Sequence, residues 1–284
     1  WVPLGGALKN MWEQAITGVS VTAIPGAGVA NIRGVDEGRA QIGFGNSITT
    51  VDGLKGAAPF PRQVTKVCNL ATLYPQYFKV IALANAGVTR LEDLRGKQVV
   101  IQPRGNTAEV VTQQILSVAG LTYNDVRANF QASYTDAVGL MRDGNAHVFT
   151  LGTAIPSSAV MDLASARDIH VVELGPYIEG LRQLNPGFVG VPIPAGTYPG
   201  VDYDVVTIED GALWVAGRHV KDDDMYKFMT SIYSDEGMSF MRSVAKAAEA
   251  MTIENGLSGV VTPVHKGAQK FWTEKGKTLT DAQK

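Results

Sequence analysis

The sequence predicts an α/β protein built on mixed or parallel sheets. Short apolar runs of strand length alternate with stretches of helical periodicity along the 284 residues, an order that is typical of βα units. Apolar residues make up 45% of the chain and charged residues only 18%, which is enough apolar material for one large domain or two lobes. No internal repeat or low-complexity segment interrupts the alternation.

The first part of the chain is predicted to alternate helices with short strands. Leu4, Leu8 and Met11 recur at helical spacing after Pro3, a residue that favours the first turn of a helix. A Gly-rich turn at residues 25–28 opens a second helix. The predicted elements are a helix at 4–15, a strand at 19–24, a helix at 29–35, a strand at 41–45, and a helix running from Asn46-Ser47 towards Gly53.

The middle of the chain continues the alternation with clearer stop signals. Gly96 ends a short helix, Gly120 closes a longer one, and Ser133 and Asp136 have the spacing of a capping box. The predicted elements are strands at 68–73 and 78–84 separated by Tyr74-Pro75, a strand ending at Ile101, the loop 102–107, helices at 108–119 and 133–141, and a strand at 147–151 that leads into Gly152-Thr153.

The last third contains one strand, at 212–216, and is otherwise helical, with helices predicted at 222–233, 236–250 and 267–275. No flexible linker divides the chain, so two lobes would have to be joined through ordered strands. The natural crossings are near residues 84–87 and 201–209, which predicts lobe I from residues 1–85 plus 206–284 and lobe II from 86–205. A hinged pair of α/β lobes places its ligand in the cleft between them.

Charge and cysteine content exclude several classes of function. The net charge is −2 without a basic stripe, which argues against a nucleic-acid partner. No run reaches the ~18 apolar residues that span a bilayer. Cys68 is the only cysteine, so no intramolecular disulfide or thiolate metal cage can form, and we expect a small core residue. The sequence opens at Trp1 without a starter Met, which is consistent with a leader already removed.

The run Pro-Ile-Pro-Ala-Gly-Thr-Tyr-Pro-Gly contains Ile193 to Gly200, the most specific of several separate segments that are typical of one protein family. These segments resemble the TAXI family, the solute-binding receptors of bacterial tripartite ATP-independent periplasmic (TRAP) transporters. The matching segments are 3–8, 26–31, 91–97, 193–200 and 262–268, in the family's order and over essentially the whole chain. Two segments depart from the family pattern: 103–107 reads Pro-Arg-Gly-Asn-Thr instead of Pro-Gly-Ser-Gly-Thr, and 46–48 reads Asn-Ser-Ile instead of Gln-Ser-Asp.

The resemblance implies a bilobal periplasmic-binding-protein-like fold of type II, a periplasmic location and transient docking on membrane-embedded TRAP permease subunits. It also implies a monomer without cofactor, enzyme activity or bound metal. The implied ligand is a small organic acid: a dicarboxylate, a 2-oxo acid or a glutamate-like amino acid. Because the two departures fall where ligand would be held, the ligand's identity does not carry over from any relative.

The best candidate for acid binding is the loop 102–107, which lies between a buried strand and a helix. Backbone N–H groups of Gly105, Asn106 and Thr107 at such a helix start suit a carboxylate. Arg104 could add a bidentate contact, and Gln102 belongs to the same loop. The alternative is that Asn106 and Glu109 form only a capping box while Arg104 is solvated.

The remaining candidates lie at other strand ends. Gly152 and Thr153 precede a helix start in the same lobe, where an ordinary N-cap is the alternative. Asn46 and Ser47 end a strand of the other lobe and could face them across the cleft, and Tyr74 could supply an apolar wall with a hydroxyl. Trp1 could act in the same way, whereas Tyr198 is expected to be structural.

Enzymatic signals are weak. The four histidines are far apart in sequence, which argues against a metal site. Ser157-Ser158 lacks a nucleophile elbow, and Gly26-x-Gly28 lacks the third Gly of a dinucleotide site. An enzyme on the same bilobal fold therefore stays a minor alternative, and a ligand-sensing module for signalling is the other.

Overall fold

The computed structural model describes residues 2–284, with side chains from Leu4 onward, so the ligand role considered for Trp1 lies outside the described residues. The helices are α1 (Val2–Ala15), α2 (Gly28–Asp36), α3 (Ser47–Lys55), α4 (Thr107–Val118), α5 (Tyr134–Arg142), α6 (Ser158–Ala166), α7 (Ile178–Leu184), α8 (Asp222–Ile232), α9 (Asp235–Val244) and α10 (Lys266–Glu274). The strands are β1 (Ile42–Asn46), β2 (Val67–Leu83), β3 (Gln98–Ile101), β4 (Arg127–Phe130), β5 (Val148–Thr153), β6 (Ile169–Val171), β7 (Val189–Ile193) and β8 (Val205–Gly217). Short 3₁₀ turns occur at Ala84–Ala86, Leu91–Leu94, Gly175–Tyr177 and Lys246–Ala250.

The described chain divides into two compact units. Unit 1 comprises the residues up to Pro75 together with Gly211–Lys284, and unit 2 comprises Gln76–Asp210. The divisions fall within β2 and β8, whereas the lobe boundaries expected from the sequence, 85/86 and 205/206, fall after β2 and at the first residue of β8. A strand that contributes to both units carries no local break in its apolar pattern, so the sequence does not mark where the units divide.

Unit 1 is held together by an aromatic and aliphatic core. Antiparallel pairing joins β1 to the second half of β8, with Ile42 opposite Ala216. The apolar stripe of α1 packs into the core with α8, α9 and α10, and the ring centroids of Trp12 and Phe228 lie 3.8 Å apart. Trp272 is fully buried and donates from Nε1 to the carbonyl of Leu70 at 2.8 Å. The stripe predicted in α1 is thus confirmed as a core face.

Unit 2 contains a mixed sheet. Its strand β3 pairs in parallel with β4 on one side and with β5 on the other. Antiparallel pairing joins β2 to β5 and to β6, and β7 to β8. The buried side chains of β3 and β5, such as Val99, Val100, Phe149 and Leu151, are covered by the helices that connect the parallel strands. This is the βα organisation that the alternating apolar runs predict.

Two local predictions are wrong. Residues 19–24 form no strand, and Ile24 is 65% exposed. Tyr74-Pro75 does not separate two strands, since β2 runs through both residues. The N-cap alternative for Gly152 and Thr153 does not apply, because both residues end β5 and the N-cap of α6 is Ser157. Alternation of apolar and polar residues is not sufficient to form a strand at 19–24. Pro75 is tolerated within β2 because proline can occupy a strand position whose N–H needs no partner.

Candidate functional site

The order of the parallel strands reverses within unit 2. From β3 the chain passes through α4 to β4 on one side of β3, then through α5 to β5 on the other side. From β5 it continues through α6 to β6, which pairs with β2. The connections after β3 and β5 therefore leave in opposite directions. In open α/β sheets ligands bind at such a topological switch point, outside the carboxyl ends of the strands.

The helices that flank this switch point cover opposite faces of the sheet. The hydroxyl of Thr112 in α4 donates to that of Thr150 in β5 at 2.9 Å. Tyr134 of α5 packs against Phe149, the residue before Thr150 in β5, with ring centroids 5.7 Å apart. Because successive strand residues point to opposite faces, α4 and α5 lie on different sides of β5. The carboxyl ends of β3 and β5 lie between them, and we call this edge the switch-point edge: residues 102–107 and 152–155.

Gln102 follows β3 at this edge and is only 5% exposed. Its Nε2 is buried and has no hydrogen-bond partner among the described residues. A buried amide donor without a partner costs about 1–3 kcal/mol, so such groups are rare unless a ligand or water completes them. Gln102 is therefore the clearest binding candidate of the loop.

The rest of the loop is organised as a helix start. Asn106 is the N-cap of α4, and its Oδ1 accepts from the backbone N–H of Ala108 at 2.9 Å. Gly105 has φ of 83° and donates its N–H to Glu109 Oε2 at 3.3 Å. Thr107 is the first residue of α4 and is buried. The capping alternative thus describes Asn106 well, although Glu109 closes onto Gly105 instead of the N-cap residue.

Arg104 is exposed and lies over two aromatic rings. Its guanidinium carbon is 4.9 Å from the ring centroid of Phe130 and 5.6 Å from that of Tyr123. The hydroxyl of Tyr123 donates to Glu109 Oε1 at 2.9 Å, and burial, followed by the charge of Glu109, raises the pKa of Tyr123 well above its usual value. Glu109 is itself 2% exposed and accepts hydrogen bonds from Gly105, Gln113 and Tyr123, so its carboxylate is not accessible to a ligand ammonium group.

The end of β5 approaches both α4 and α5. A Cβ added to Gly152 would lie 3.5 Å from Phe78 and 3.9 Å from Ala108, both ordinary van der Waals distances, so the end of β5 lies next to the first turn of α4. The carbonyl of Gly152 accepts from the hydroxyl of Tyr134 at 2.9 Å. The carbonyl of Thr153 accepts from Lys79 Nζ at 2.9 Å.

Lys79 is a feature that the sequence reasoning missed. It is fully buried in β2, and its Nζ donates to the carbonyls of Tyr77, Thr153 and Ala154 at 3.0, 2.9 and 3.2 Å. Burial lowers the pKa of Lys79 from 10.5 to about 7. The signal was present, since the apolar run Phe-Lys-Val-Ile-Ala-Leu-Ala contains one lysine, and a lysine inside a buried strand must be solvated by other groups.

Three predicted site residues belong to unit 1. Asn46 is buried at the end of β1, and its carbonyl accepts from the hydroxyl of Thr50 at 2.7 Å. The hydroxyl of Ser47 accepts from the N–H of Gly211 at 3.0 Å and donates to its carbonyl at 3.3 Å. Tyr74 is half-buried and packs against the core of unit 1. Their role in binding stays a prediction, whereas Gln102–Thr107 and Gly152–Thr153 meet at one edge of unit 2.

Two structural expectations outside the site are confirmed. Cys68 is a buried free thiol, and burial raises its pKa. Tyr198 is 1% exposed, and its hydroxyl accepts from the N–H of Ser157 at 3.1 Å, which ties the Pro-rich segment to the residues after β5.

Within residues 2–284, no group of three His, Cys, Asp or Glu side chains is arranged to hold a metal ion. In the same described part of the chain, no helix is both long enough and apolar enough to cross a membrane.

Comparison with known proteins identifies the fold and the family. PhnD1 from Prochlorococcus marinus, solved with methylphosphonate, matches with a TM-score of 0.53 and 10% identity over 86% of this chain and 83% of that one. A binding protein component of an ABC phosphonate transporter from Pseudomonas aeruginosa matches with a TM-score of 0.51 and 13% identity over 87% and 72%. A Xanthomonas citri protein bound to chloride ion matches with a TM-score of 0.52 and 8% identity over 87% and 90%. These likenesses confirm the predicted type II periplasmic-binding-protein fold. The NMT1-like family matches residues 1–276.

Proposed function

Because the chain belongs to the NMT1-like family and has a type II periplasmic-binding-protein fold, we propose that it is an extracytoplasmic receptor that captures a small organic acid for a membrane transporter. The observation that carries the proposal is the buried, unpartnered Nε2 of Gln102 at the switch-point edge. This N–H donor could be satisfied by a hydrogen-bond acceptor on a bound ligand. Lys79, a buried cation at the same edge, favours an acid over a neutral solute.

The transporter is proposed to be of the TRAP type, with the receptor acting as a TAXI-like monomer in the periplasm. Support comes from the five segments that resemble the TAXI receptors, above all Ile193 to Gly200. The proposed ligand is a dicarboxylate, a 2-oxo acid or a glutamate-like acid. Glu109 is occupied by Tyr123 and Gly105, which favours an acid without an α-ammonium group. Capture is proposed to proceed by closure of two lobes, an equilibrium that the ligand biases.

A thermal-melt screen of ligand-stripped protein tests the ligand class. It would cover dicarboxylates, 2-oxo acids, amino acids and methylphosphonate, the last because a structural neighbour binds it. Ligand at a thousand times its Kd stabilises by about 4 kcal/mol, which is on the order of 8–16 °C for a chain of this size. We expect a shift of this size with one class of acid. Failure of every acid to shift the melt, in protein with native circular dichroism, would refute the proposal.

A matched pair of glycine variants tests the location. Gly105 and Gly120 flank the two ends of α4, both have positive φ (83° and 67°), and a Cβ added at either meets no heavy atom within 4 Å. Gly105→Ala and Gly120→Ala should each destabilise the protein by about 1–2 kcal/mol, because both force an L-residue into the left-handed region. Only Gly105→Ala places a methyl group in the proposed site, so calorimetry should find at least tenfold weaker acid binding in that variant. Equal affinities in the two variants would remove the loop from the site.

A further inference from the structure

Lys79 fixes the orientation of the backbone at the end of β5 through its hydrogen bonds. Two of its three acceptors are the consecutive carbonyls of Thr153 and Ala154. A trans peptide unit is planar, so its C=O and N–H point in opposite directions. The peptide bonds that follow Thr153 and Ala154 are both trans. The carbonyls that point at Lys79 therefore turn the N–H groups of Ala154 and Ile155 away from it.

These two N–H groups are open donors. Neither Ala154 nor Ile155 donates a backbone hydrogen bond to any residue in the described part of the chain. Ala154 is exposed and Ile155 half-buried, so the segment that carries both amides lies at the surface of unit 2. They are adjacent to the end of β5, where ligands bind in folds of this kind.

The charge behind these donors is not neutralised. Across residues 2–284, no carboxylate lies within ion-pair distance of Lys79. Its three carbonyl partners solvate the ammonium group but carry no net charge. Because the carbonyls of Thr153 and Ala154 belong to the same peptide units as the open N–H groups of Ala154 and Ile155, the ammonium polarises those donors towards an acceptor.

The side chains agree with this placement. Lys79 is opposite Leu151 in the β2–β5 register. The parallel register of β3 and β5 pairs Val100 with Phe149, and its continuation by two residues sets Gln102 level with Leu151. Gln102, which carries the unpartnered Nε2, is the first residue after β3, and Lys79 lies in β2, so the two residues belong to the strands on either side of β5.

We propose that the backbone N–H groups of Ala154 and Ile155 form an anion-binding cradle that Lys79 orients and charges from behind, and that this cradle selects ligands with a carboxylate or phosphonate group. The inference deepens the proposed function and rests on it. Lys79 is a positioning residue here, since its three donors are occupied and the ligand contacts the amides. The carbonyl and amide bond lengths place an anion about 7 Å from Nζ, where an effective dielectric constant of 20 makes the charge worth roughly a 10–50-fold change in affinity.

The test compares Lys79→Met with a matched lysine variant. Lys97 lies in the same unit and also donates to a backbone carbonyl, that of Ala86 at 2.7 Å, but away from the switch-point edge. Calorimetry would measure the affinity for succinate and 2-oxoglutarate, each against its uncharged dimethyl ester. We expect Lys79→Met to lose about tenfold or more of the preference for acid over ester, and Lys97→Met to keep it.

A second measurement uses the wild-type protein, so that the inference stays testable if Lys79→Met does not fold. In a ¹⁵N-resolved titration with the same acids, the amide protons of Ala154 and Ile155 should show downfield shifts typical of new hydrogen bonds. Binding of an acid without those shifts, or with an unchanged acid-to-ester ratio in folded Lys79→Met, overturns the cradle and leaves the proposed function standing. Binding of none of the acids by the wild type overturns both.

Discussion

Replacement of Gln102 by methionine should stabilise the protein and weaken its binding of acids, two effects that rarely coincide. The side chain is 5% exposed, and its Nε2 has no partner among the described residues. An unpartnered buried donor costs about 1–3 kcal/mol, and methionine of similar length removes that cost while it keeps the volume filled. We expect the free energy of unfolding to rise by about 1 kcal/mol, or roughly 2–4 °C in melting temperature.

The same replacement removes a donor from the proposed site. A hydrogen bond to a charged acceptor contributes about 1.5–3 kcal/mol, which corresponds to roughly a 10–150-fold loss of affinity for an acid. Calorimetry with the acid that gives the largest melting shift measures this loss. Urea unfolding of the ligand-free protein measures the gain in stability.

Gln283 provides the control for Gln102. It is also 5% exposed, but its Nε2 donates to the carbonyl of Val260 at 2.6 Å and its Oε1 accepts from the N–H of Thr280 at 3.0 Å. Gln283→Met leaves both backbone groups without a partner and should destabilise by about 2 kcal/mol or more, with unchanged acid affinity. If Gln102→Met destabilises as Gln283→Met does, the amide of Gln102 is satisfied in the folded protein. If it leaves acid affinity unchanged, the switch-point edge is not the site.

Two further predictions concern unit 1. His265 accepts at Nδ1 from the N–H of Gly267 and binds the carbonyl of Val220 through Nε2, and burial lowers its pKa below 6.5. The unfolded chain therefore takes up the proton first, so the contribution of His265 to stability is constant above pH 6.5 and falls by at most about 1.4 kcal/mol per pH unit below it, until the pH reaches the lowered pKa. Urea titrations from pH 7 to 5 should show this loss in the wild type and not in His265→Asn, and identical pH profiles would contradict it. Gly256→Ala would place Cβ 1.9 Å from the Trp272 ring and should destabilise by roughly 3 kcal/mol, whereas Gly6→Ala in α1 meets no atom within 4 Å and should stabilise by about 0.5–1 kcal/mol. Equal urea midpoints for these two variants would show that the Trp272 site relaxes freely.

Local signals in the sequence were sufficient for most of the fold. Helical spacing predicts α1, the spacing of Ser133 and Asp136 predicts the start of α5, and the apolar run at 99–101 predicts β3. These features depend on neighbours in sequence, which is why they can be read without a structure. The continuity of β2 through Pro75 depends instead on which partner strands lie beside it.

The site was predictable only in part, for the same reason. The loop 102–107 follows a strand and precedes a helix, an arrangement visible in sequence, and the structure brings it to the same edge as Gly152 and Thr153. The burial of Lys79 could be read from its apolar run, but its partners could not, because Thr153 and Ala154 lie more than seventy residues away along the chain. The unpaired state of Gln102 is likewise a property of the packed environment.

The contrast between the polar groups of the two units favours a binding role for the switch-point edge over a purely structural one. Buried polar side chains of unit 1, such as Ser47 and His265, are bonded to backbone groups within that unit. Unpartnered polar atoms also occur there. Those of Trp12, Trp214 and Tyr233 belong to rings inside its apolar core, where burial of the ring outweighs one lost hydrogen bond. Those of Arg33 and Asn69 belong to side chains that donate another hydrogen bond, to Pro59 and Thr262 respectively. An amide and an ammonium group have no comparable apolar surface to offset their burial. Gln102 and Lys79 are therefore costly in the ligand-free protein, and an acid that accepts from the first and balances the charge of the second would recover that cost as binding free energy.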